Sequence, residues 1–308
     1  MKAYLAGEFM NRRLIFPQPD TIRKGYVSKD RWTRMKDLST ASDVSVVIPC
    51  YRCPDTLERA VASVAGQSLR PAEVVLVDDA SGDGTRAVMA SLVAGYSRGW
   101  VKTVHRSVNG GPSAARNAGW ERAGRPYIAF LDADDTWHRD KIRIQFGYMR
   151  AHPTADLTGH RWSPFREGET TPPAGQEVRP IRPARLLFSN RLLIGTVMLK
   201  REIPVRFDPA QRYGEDYLFC LRALYNGYRG AFIDLPLLYL HKDPYGEGGL
   251  SARLWQMERG ELDAYRRVYD EGHIPAALVP ALALWSSVRF ARRILVSLCR
   301  RGARRGDG

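Results

Sequence analysis

Tyr127-Ile128-Ala129-Phe130-Leu131-Asp132-Ala133-Asp134-Asp135 is the most informative stretch of the chain, because an uncharged, mostly apolar run ends directly in three carboxylates. A continuous apolar run of this length predicts a strand that is buried on both faces, as in a parallel sheet. The three acidic side chains repel one another, and Mg²⁺ or Mn²⁺ bridging to substrate phosphates would offset that repulsion. The alternative is a polar loop that caps a helix before Trp137. The position at a strand end favours the functional interpretation.

Similar apolar runs come before this one, and helical patterns separate them. The runs are residues 44–48, 74–77 and 100–105, and the helical patterns are residues 56–65, 85–92 and 112–122. This alternation predicts an α/β fold whose strands are joined by right-handed crossovers. Ligands of such sheets bind beyond the carboxyl ends of the strands.

Asp78 and Asp79 directly follow the run at 74–77, so they fall at such a carboxyl end. Carboxylates in this position can accept hydrogen bonds from a nucleotide base or from ribose hydroxyls. A structural alternative is that Ser81 or Asp83 caps the helix that begins at Thr85. Both interpretations can hold at once.

Residues 109–117, Asn-Gly-Gly-Pro-Ser-Ala-Ala-Arg-Asn, combine a Gly-Gly turn with the start of a helix made of small residues. Small residues permit a close approach of the backbone, and Arg116 could bind a phosphate with two hydrogen bonds. The stretch matches neither the dinucleotide-binding fingerprint nor a P-loop. The alternative is a tight turn before a helix that is pressed onto the sheet.

Glu215 and Asp216 form a second acidic site, at the start of an amphipathic pattern over residues 216–226. Acidic residues at a helix N-terminus are stabilised by the helix dipole alone, so a structural role is the stronger interpretation of the pair in isolation. One carboxylate could instead take the proton from an attacking hydroxyl. His241 is a candidate metal ligand only if the fold brings it to residues 132–135.

Taken in order, these motifs resemble the inverting family 2 glycosyltransferases of the GT-A fold, of the bacterial surface and exopolysaccharide type. The resemblance implies a mixed, mostly parallel sheet flanked by helices, with a C-terminal helical extension. The resemblance covers residues 43–245 and rests on six stretches, namely 44–51, 63–68, 77–81, 110–117, 130–135 and 214–216. Arg52 departs from the pattern, because the family usually has Asn after the Tyr of the first loop.

The resemblance implies a set of residues that bind the nucleotide-sugar donor. This set is Pro49, Tyr51, Asp78, Asp79, Gly111, Arg116, Asn117 and Asp132. Within it, Pro49, Tyr51 and Asp79 would contact the base, and Asp132 would contact the ribose. Asp134 would bind Mn²⁺ or Mg²⁺, with Asp132 and His241 as further candidate ligands.

The implied reaction is a single in-line displacement that inverts the anomeric centre, with Asp216 as the general base and Glu215 beside it. The donor would be a UDP-sugar, and the acceptor would be a hydroxyl of a glycan or a lipid-linked oligosaccharide. Two alternatives stay open: a sugar nucleotidyltransferase, which would release pyrophosphate, and a non-catalytic nucleotide-sugar-binding protein of the same fold.

The chain has 308 residues and a formal net charge of +14. Such a balance indicates a polyanionic partner, which could be a phosphorylated substrate, an anionic membrane or nucleic acid. Nucleic acid is disfavoured, because no recognised binding module accompanies the charge. We expect an N-terminal extension at 1–42, a catalytic domain at 43–245 with nucleotide-binding (43–145) and acceptor (146–245) halves, and a basic helical segment at 246–308.

The basic segment is predicted to be an amphipathic helix. Its cations Arg289, Arg292, Arg293, Arg300 and Arg304 fall on one arc, and the apolar residues Phe290, Ala291, Ile294, Leu295 and Leu298 fall on the opposite arc. Such a helix could anchor the protein at an anionic membrane surface. The alternative is a packed helix with a solvated face. With neither a signal peptide nor a membrane-spanning run, we expect a cytoplasmic protein, peripheral on the inner face of the plasma membrane if the helix binds lipid.

Cys50 and Cys53 form a C-x-x-C pair, among only four cysteines in the chain. The functional interpretations are a zinc half-site and a redox pair. Because a second ligand pair is missing and the motif is not expected to open a helix as it does in thioredoxin-like proteins, the sequence favours incidental packing as small hydrophobic residues.

Overall fold

The computed structural model describes residues 25–26, 41–167, 177–189, 192–242 and 254–306. Within them, ten strands form one mixed sheet: β1 (Gly25–Tyr26), β2 (Ala41–Cys50), β3 (Arg70–Asp78), β4 (Val101–His105), β5 (Tyr127–Phe130), β6 (Thr136–Trp137), β7 (Leu157–Pro164), β8 (Glu177–Ile181), β9 (Met198–Lys200) and β10 (Gly230–Leu240). The α-helices of the same residues are α1 (Pro54–Ala65), α2 (Thr85–Gly95), α3 (Gly111–Arg122), α4 (Lys141–Ala151), α5 (Pro183–Phe188), α6 (Glu215–Tyr225), α7 (Leu254–Asp270) and α8 (Leu278–Gly306).

The strand order along the sheet is β1-β8-β10-β7-β9-β5-β2-β3-β4, and β6 pairs with β10 outside this path. In the first half of the chain, β2 is parallel to β3 and β5, and β3 is parallel to β4. The short strand β9 is antiparallel to both β5 and β7, so it joins this parallel half to the second half. The predicted α/β fold with a mixed sheet is confirmed.

Neighbouring residues of β2 and β3 point into two separate cores, one on each face of the sheet. Val47 and Val75 belong to the core that includes α3 and α6, whereas Val46 and Val74 belong to the core that includes α1, α2 and α4. All four valines are fully buried. A strand that is covered on both faces needs apolar side chains at every position, which explains the continuous runs in the sequence.

Helix α3 packs very close to the sheet. A Cβ on Gly119 would lie 2.3 Å from Val47 Cγ1, so a larger residue there would displace the helix. Gly111, at the start of α3, has a φ of 79°, a left-handed conformation that glycine adopts without strain. The small residues of this segment therefore permit a close approach of the backbone, as the sequence predicts.

The second half holds more regular structure than the sequence indicates. The sequence of residues 163–183 predicts an exposed loop, but this segment includes β8 and the start of α5. Residues 168–176 lie outside the described set. β1, from the predicted N-terminal extension, pairs with β8, while most of residues 1–40 also lie outside it. The proposed domain boundaries stay predictions.

The C-terminal region forms two helices, α7 and α8, that pack against each other and against helices of the preceding part of the chain. Helix α7 also contacts α6, and α8 contacts α5. Among the described residues, no helix combines the length and the hydropathy that crossing a bilayer requires.

Candidate active site

The carboxyl ends of four parallel strands meet along one edge of the sheet. The backbone N–H of Asp79 donates to the Cys50 carbonyl at 2.9 Å, and the N–H of Arg106 donates to the Asp78 carbonyl at 2.9 Å. These bonds tie together the chain segments that leave β2, β3 and β4. Asp132 follows β5 at the same edge, so most of the predicted site residues of the first half come together.

Asp78 is fully buried at the end of β3. Its carboxylate accepts a hydrogen bond from the Ser81 backbone N–H at 3.0 Å and pairs with Arg86 Nε at 2.6 Å. Burial works against the charged form, but the hydrogen bonds from Ser81 and Arg86 prevail and lower the pKa of Asp78. Asp78 therefore organises the loop after β3 as an ionised, internally satisfied group.

Asp79 anchors the start of α3. Its Oδ2 accepts the backbone N–H of Gly111 at 2.7 Å, its Oδ1 accepts the N–H of Gly110 at 3.1 Å, and Arg106 pairs with the same carboxylate. A carboxylate at a helix N-terminus is stabilised by the helix dipole and by the unpaired N–H groups there. The predicted contact of Asp79 with the nucleotide base stays a prediction.

Arg116 links the two acidic regions that are distant in sequence. It is buried, with Nη2 at 2.8 Å from Asp132 Oδ1 and Nη1 at 2.9 Å from Glu215 Oε1. Burial opposes its charge, but the two carboxylates prevail and raise the pKa of Arg116. Its Nε is buried without a partner among the described residues. Arg116 therefore holds the loop after β5 against the start of α6.

Asp134 and Asp135 have contrasting surroundings in the loop after β5. Asp134 is partly exposed and pairs with the exposed Lys242 at 2.8 Å, while Arg59 Nη2 donates to the Asp134 carbonyl at 2.8 Å. Asp135 is buried, and burial followed by the charges of Asp134 and Asp132 raises its pKa to about 8. The carboxylate repulsion that the sequence predicts is therefore present.

The fold brings His241 to this loop, as its predicted role requires. β6, which follows Asp135, pairs with β10, so the His241 backbone N–H lies 3.4 Å from Asp135 Oδ1. The imidazole Nε2 is 2.8 Å from Thr136 Oγ1, and the ring stacks on Phe165 at 4.3 Å. Burial, followed by the charge of Arg59, lowers the pKa of His241 and favours the neutral, metal-binding form.

Within the part of the chain that the structure describes, no three His, Cys, Asp or Glu side chains converge as a complete metal site. Mg²⁺ commonly binds through one or two carboxylates together with substrate phosphates, rather than in a cage of protein ligands. The partly exposed Asp134 and the repulsion that raises the pKa of Asp135 fit such a cation.

Glu215 and Asp216 begin α6, immediately after Gly214, whose φ of 68° turns the chain into the helix. Glu215 is buried and is paired with Arg116. Burial, followed by the charge of Glu215, raises the pKa of Asp216 to about 7 although Arg116 acts in the opposite direction. A carboxylate with this pKa is suited to take up a proton near neutral pH.

Helix α7 supports the loop that precedes this pair, which the sequence does not predict. A Cβ on Gly260 would lie 2.2 Å from the Tyr213 carbonyl oxygen, so the helix and the loop are in direct backbone contact. Gln211 Nε2 donates to the Tyr213 carbonyl at 2.8 Å and to the Gly260 carbonyl at 2.9 Å. The C-terminal region therefore fixes the position of Glu215 and Asp216.

The remaining predicted donor-binding residues are Pro49, Tyr51 and Asn117. Pro49 is the second-last residue of β2. Tyr51 directly follows the strand and is exposed, with the Arg52 guanidinium 5.3 Å from the centre of its ring. The Asn117 amide bonds to the Phe207 backbone, as donor at 2.8 Å and as acceptor at 3.1 Å. Asn117 thus has a visible structural role, and its role in donor binding stays a prediction.

Four cations at the site are missing from the sequence prediction: Arg59, Arg86, Arg106 and Lys242. Arg106 directly follows β4, so the strand-end rule that identifies the acidic residues could also have identified it. Lys242 directly follows His241. Arg59 and Arg86 lie within α1 and α2, where a solvated helix face is the ordinary interpretation, and nothing in the sequence singles them out.

The fold and the site can now be compared with known proteins. A protein of Bacillus subtilis named for teichuronic acid biosynthesis is 39% identical over 118 residues, 38% of this chain and 46% of that protein. The amylovoran biosynthesis glycosyltransferase AmsB of Erwinia amylovora is 29% identical over 222 residues, 67% of this chain and 71% of that protein. An Escherichia coli enzyme, UDP-Glc:alpha-D-GlcNAc-diphosphoundecaprenol beta-1,3-glucosyltransferase WfgD, is 32% identical over 117 residues, 38% of this chain and 45% of that protein. The chain thus spans about half the length of two of these relatives.

Solved structures share the fold at low sequence identity. TarS of S. aureus in complex with UDP-GlcNAc superposes with a TM-score of 0.60 at 19% identity, covering 81% of this chain and 72% of that one. The mannosyltransferase PcManGT of Pyrobaculum calidifontis, in complex with GDP-Man and Mn²⁺, also gives 0.60 at 18% identity, covering 90% of this chain and 81% of that one. A family model described as Glycosyl transferase family 2 matches residues 45–213, more than half of the 308 residues. The chain therefore belongs to glycosyl transferase family 2.

Proposed function

We propose that this protein transfers a sugar from a UDP-sugar to a hydroxyl of a glycan or a lipid-linked oligosaccharide, with inversion at the anomeric carbon. The observation that carries the proposal is the bridge through Arg116, which holds Asp132 of the predicted donor side beside Glu215 of the predicted acceptor side. Residues that are far apart in the sequence therefore surround one place at the edge of the sheet.

The relatives support this choice of substrates. TarS was solved with UDP-GlcNAc, and WfgD is named for transfer from UDP-Glc to a diphosphoundecaprenol-linked sugar. PcManGT was solved with GDP-Man, so the comparison of donors must include a guanine nucleotide. We propose UDP because TarS was solved with a uridine nucleotide sugar and WfgD is named for a UDP-sugar donor.

Asp216 is the proposed general base. With a pKa raised to about 7, its carboxylate can take up the proton of the acceptor hydroxyl as that oxygen attacks the anomeric carbon. Glu215 does not compete for this proton, because it is buried in an ion pair with Arg116. Arg116 thus orients Glu215 through an ion pair and leaves Asp216 to act as the base.

Asp134 is the proposed ligand of a divalent cation, with Asp132 and His241 as candidates that complete the set. Bound Mn²⁺ or Mg²⁺ would act as a Lewis acid that stabilises the departing nucleoside diphosphate. Lys242 forms an ion pair with the Asp134 carboxylate. Because Lys242 is exposed, a cation can replace it in this pair at a low cost in free energy. Asp135, which stays buried, is placed to respond to the charge on Asp134 rather than to bind substrate.

The test is a panel of nucleotide sugars, including UDP-glucose, UDP-GlcNAc and GDP-mannose, incubated with and without Mn²⁺ or Mg²⁺. We expect metal-dependent hydrolysis or transfer that releases UDP. Release of pyrophosphate would instead identify a nucleotidyltransferase. Calorimetric binding of a UDP-sugar without any product, across acceptors, would identify a non-catalytic binding protein.

We also propose that helix α8 rests on an anionic membrane, through a face that only partly matches the apolar arc that the sequence predicts. Arg289 pairs with Glu261 at 2.9 Å, and Arg293 pairs with Glu258 at 2.8 Å, so both arginines point toward α7. Phe290, expected on the lipid face, is buried. Of the predicted apolar arc, Phe290 therefore faces the protein and Leu295 is exposed, while the side chains of Leu298, Arg300 and Arg304 lie outside the described set.

The outward face of α8 is apolar. Leu284, Val288 and Leu295 are 69%, 56% and 62% exposed, and they follow one another at helical spacing. Trp285 lies beside them, partly exposed, with its Nε1 bonded to the Phe188 carbonyl at 2.9 Å. A row of large apolar side chains on the outside of a helix indicates a surface that binds a partner.

Charge favours an anionic lipid surface as that partner. Helix α8 contains seven arginines and no acidic residue. Arg292 is exposed next to the apolar row, and Arg182 and Arg185 are exposed near Phe188. Apolar side chains that enter the headgroup boundary, with cations around them, are typical of interfacial helices.

Vesicle sedimentation tests this surface. The variant Leu284→Gln/Val288→Gln/Leu295→Gln should bind anionic vesicles about 100-fold more weakly, if each side chain contributes about 1 kcal/mol. Val93→Gln, an exposed apolar residue of α2, is the matched control and should bind like the parent. Equal binding of the parent and the triple variant would contradict the proposal, and a dimer that the triple variant breaks would indicate a second copy as the partner.

A further inference from the structure

Cys50 and Cys53 enclose the exposed Tyr51 in the loop between β2 and α1. Cys50 is the last residue of β2 and is fully buried, whereas Cys53 is partly exposed and directly precedes α1. α1 begins at Pro54, so the pair precedes the helix, with Cys50 in the strand and Cys53 at the N-cap position. A position at a helix N-terminus and the C-x-x-C spacing both favour the reactive thiolate form of cysteine.

The backbone holds the two thiols on the same side of the turn. Arg52 has a φ of 49°, a conformation that residues other than glycine seldom adopt. Its N–H donates to Ser81 Oγ at 3.2 Å, and the N–H of Cys53 donates to Thr85 Oγ1 at 3.0 Å. The Cys50 thiol donates to the Ile48 carbonyl at 3.4 Å, and Cys53 is the neighbour with the largest effect on the acidity of that thiol. The loop after β3 therefore fixes a sharp turn that brings the pair together.

The two thiols differ in acidity, as a nucleophilic and a resolving cysteine do. The contact with Cys53, followed by burial, raises the pKa of Cys50 well above its ordinary value. The same contact lowers the pKa of Cys53, although burial opposes the change. Cys53 is thus both the more accessible and the more readily ionised of the two, and the thiolate is the reactive form of cysteine.

We propose that Cys50 and Cys53 form a redox modification site: a hydroperoxide oxidises the pair to a reversible disulfide, and this disulfide weakens binding of the donor nucleotide. The first part rests on the geometry of the pair alone. The second part rests on the proposed function, because it assigns the nucleotide base to the same loop, next to Pro49 and Tyr51.

The reaction balances without any further reagent. The Cys53 thiolate attacks the peroxide O–O bond, which gives Cys53 sulfenic acid and releases the alkoxide or hydroxide. The Cys50 sulfur then displaces the hydroxyl group from the Cys53 sulfur, which forms the S–S bond and releases water. In total two thiols lose two electrons and two protons, and the hydroperoxide is reduced to an alcohol and water. A dithiol such as dithiothreitol restores the pair.

The disulfide would change the loop that contains Tyr51. An S–S bond is about 2.05 Å long, which is much shorter than the distance between the sulfur atoms of two thiols in contact. It also requires Cβ atoms about 3.8 Å apart. Closing this short ring must shift the turn at Tyr51 and Arg52, since Cys50 is fixed in the core. The Tyr51 ring would then leave the position in which it can contact a base.

Peptide mapping tests for the disulfide, because the chain offers a tryptic site between the two cysteines, after Arg52. The protein is treated with hydrogen peroxide, free thiols are alkylated, and the protein is digested without reduction. We expect the peptide that ends at Arg52 and the peptide that begins at Cys53 to remain joined, and to separate on addition of dithiothreitol. Two separate alkylated peptides after peroxide treatment would overturn the proposal.

Calorimetric titration with UDP tests the consequence. We expect the oxidised protein to bind UDP about tenfold more weakly than the reduced protein, with recovery after reduction. Cys53→Ser is the matched variant, because serine keeps the cap of α1 and cannot form the disulfide; its affinity should not respond to peroxide. Equal affinity of the oxidised and reduced parent would refute the inference while leaving the proposed function intact. Failure of the reduced protein to bind UDP would refute the proposed function and, with it, the effect on donor binding.

Discussion

β3 and β5 lie on either side of β2, and both end in acidic residues, yet the two ends differ in how their charges are satisfied. After β3, Asp78 and Asp79 are held by arginines and by backbone N–H groups. After β5, Asp135 has a pKa raised to about 8, and Asp216, which Arg116 brings near, has a pKa raised to about 7. A strand end whose carboxylates are all held by cations and N–H groups is scaffold. At the β5 end Asp132 and Asp134 have cations but, among the described residues, the buried Asp135 has none, so this end is prepared for a ligand or a proton.

Asp216→Asn should produce the largest effect on activity. The amide keeps the size of the side chain but cannot accept the proton, so kcat should fall by about 10²–10⁴-fold, the usual contribution of general base catalysis. The affinity for UDP should stay within a few-fold of the parent, because the proposed role of Asp216 is toward the acceptor. A variant that keeps more than a tenth of the parent kcat would contradict the assignment of the base.

The pH profile gives an independent measurement on the same residue. Asp216 is active only when deprotonated, so kcat/KM should rise with pH up to about 7 and then level, and Asp216→Asn should lose this limb. Stability follows the opposite sign. Between about pH 4 and 7 the folded state keeps a proton that the unfolded chain has released, so raising the pH through this window lowers the stability. An acid limb near pH 4 would contradict the raised pKa.

Asp134→Ala should reduce turnover by about 10²–10³-fold, since a metal ligand contributes several kcal/mol to stabilising the leaving group. The fold should survive, because Asp134 is partly exposed and its ion pair with Lys242 is a surface one. Turnover of the nucleotide sugar with Mn²⁺ and thermal unfolding followed by circular dichroism measure the two effects. Asp270→Asn, in an exposed pair on α7, is the control and should change neither. Unchanged turnover of Asp134→Ala would refute the metal proposal.

Arg86→Ala tests the other half of the comparison. Removing the arginine leaves Asp78 buried with only the loop N–H groups and a distant His105, so the free energy of unfolding should fall by about 1–3 kcal/mol. The loss should be largest above the pKa of Asp78 in the unfolded chain, and should disappear as the carboxyl is protonated in acid, because the pKa of Asp78 is lowered in the folded state. Urea unfolding at pH 7 and pH 3 measures this.

Activity separates scaffold from site in the same variant. At a temperature where Arg86→Ala remains folded, its kcat/KM should lie within about threefold of the parent value. A large loss of donor affinity at unchanged stability would show that Asp78 and Arg86 contact the substrate directly. The contrast between the two strand ends would then break down.

The sequence predicted the ends of β3 and β5 because the signal lies within one short segment. A continuous apolar run followed directly by acidic residues identifies both the strand and its carboxyl end. It also placed Glu215 and Asp216 near a helix start. What it could not predict is long-range charge pairing. The bonds from Arg116 to Glu215 and from Arg293 to Glu258 join residues that are 99 and 35 positions apart. The sequence does not show whether an arginine on a helix faces water or a buried carboxylate.

The orientation of α8 on the protein could not be predicted for the same reason. A helical wheel shows which residues share a side, but it does not show which side meets the protein. Glu258 and Glu261, buried on α7, attract the arginines inward and leave Leu284 and Val288 outside. The correct orientation therefore depended on two acids in another helix, which the pattern of α8 alone does not contain.

The smallest effect is expected from Lys242→Ala, and its sign is informative. Lys242 pairs with Asp134 at 2.8 Å and is exposed, so its removal should change the free energy of unfolding by no more than about 0.5 kcal/mol. Because the ammonium competes with a cation for Asp134, the variant should bind Mn²⁺ about two- to fivefold more tightly in the presence of UDP. Electron paramagnetic resonance of free Mn²⁺ measures this affinity without turnover. Weaker Mn²⁺ binding would mean that Lys242 helps to hold the diphosphate, and that the end of β5 also brings a cation of its own to the ligand.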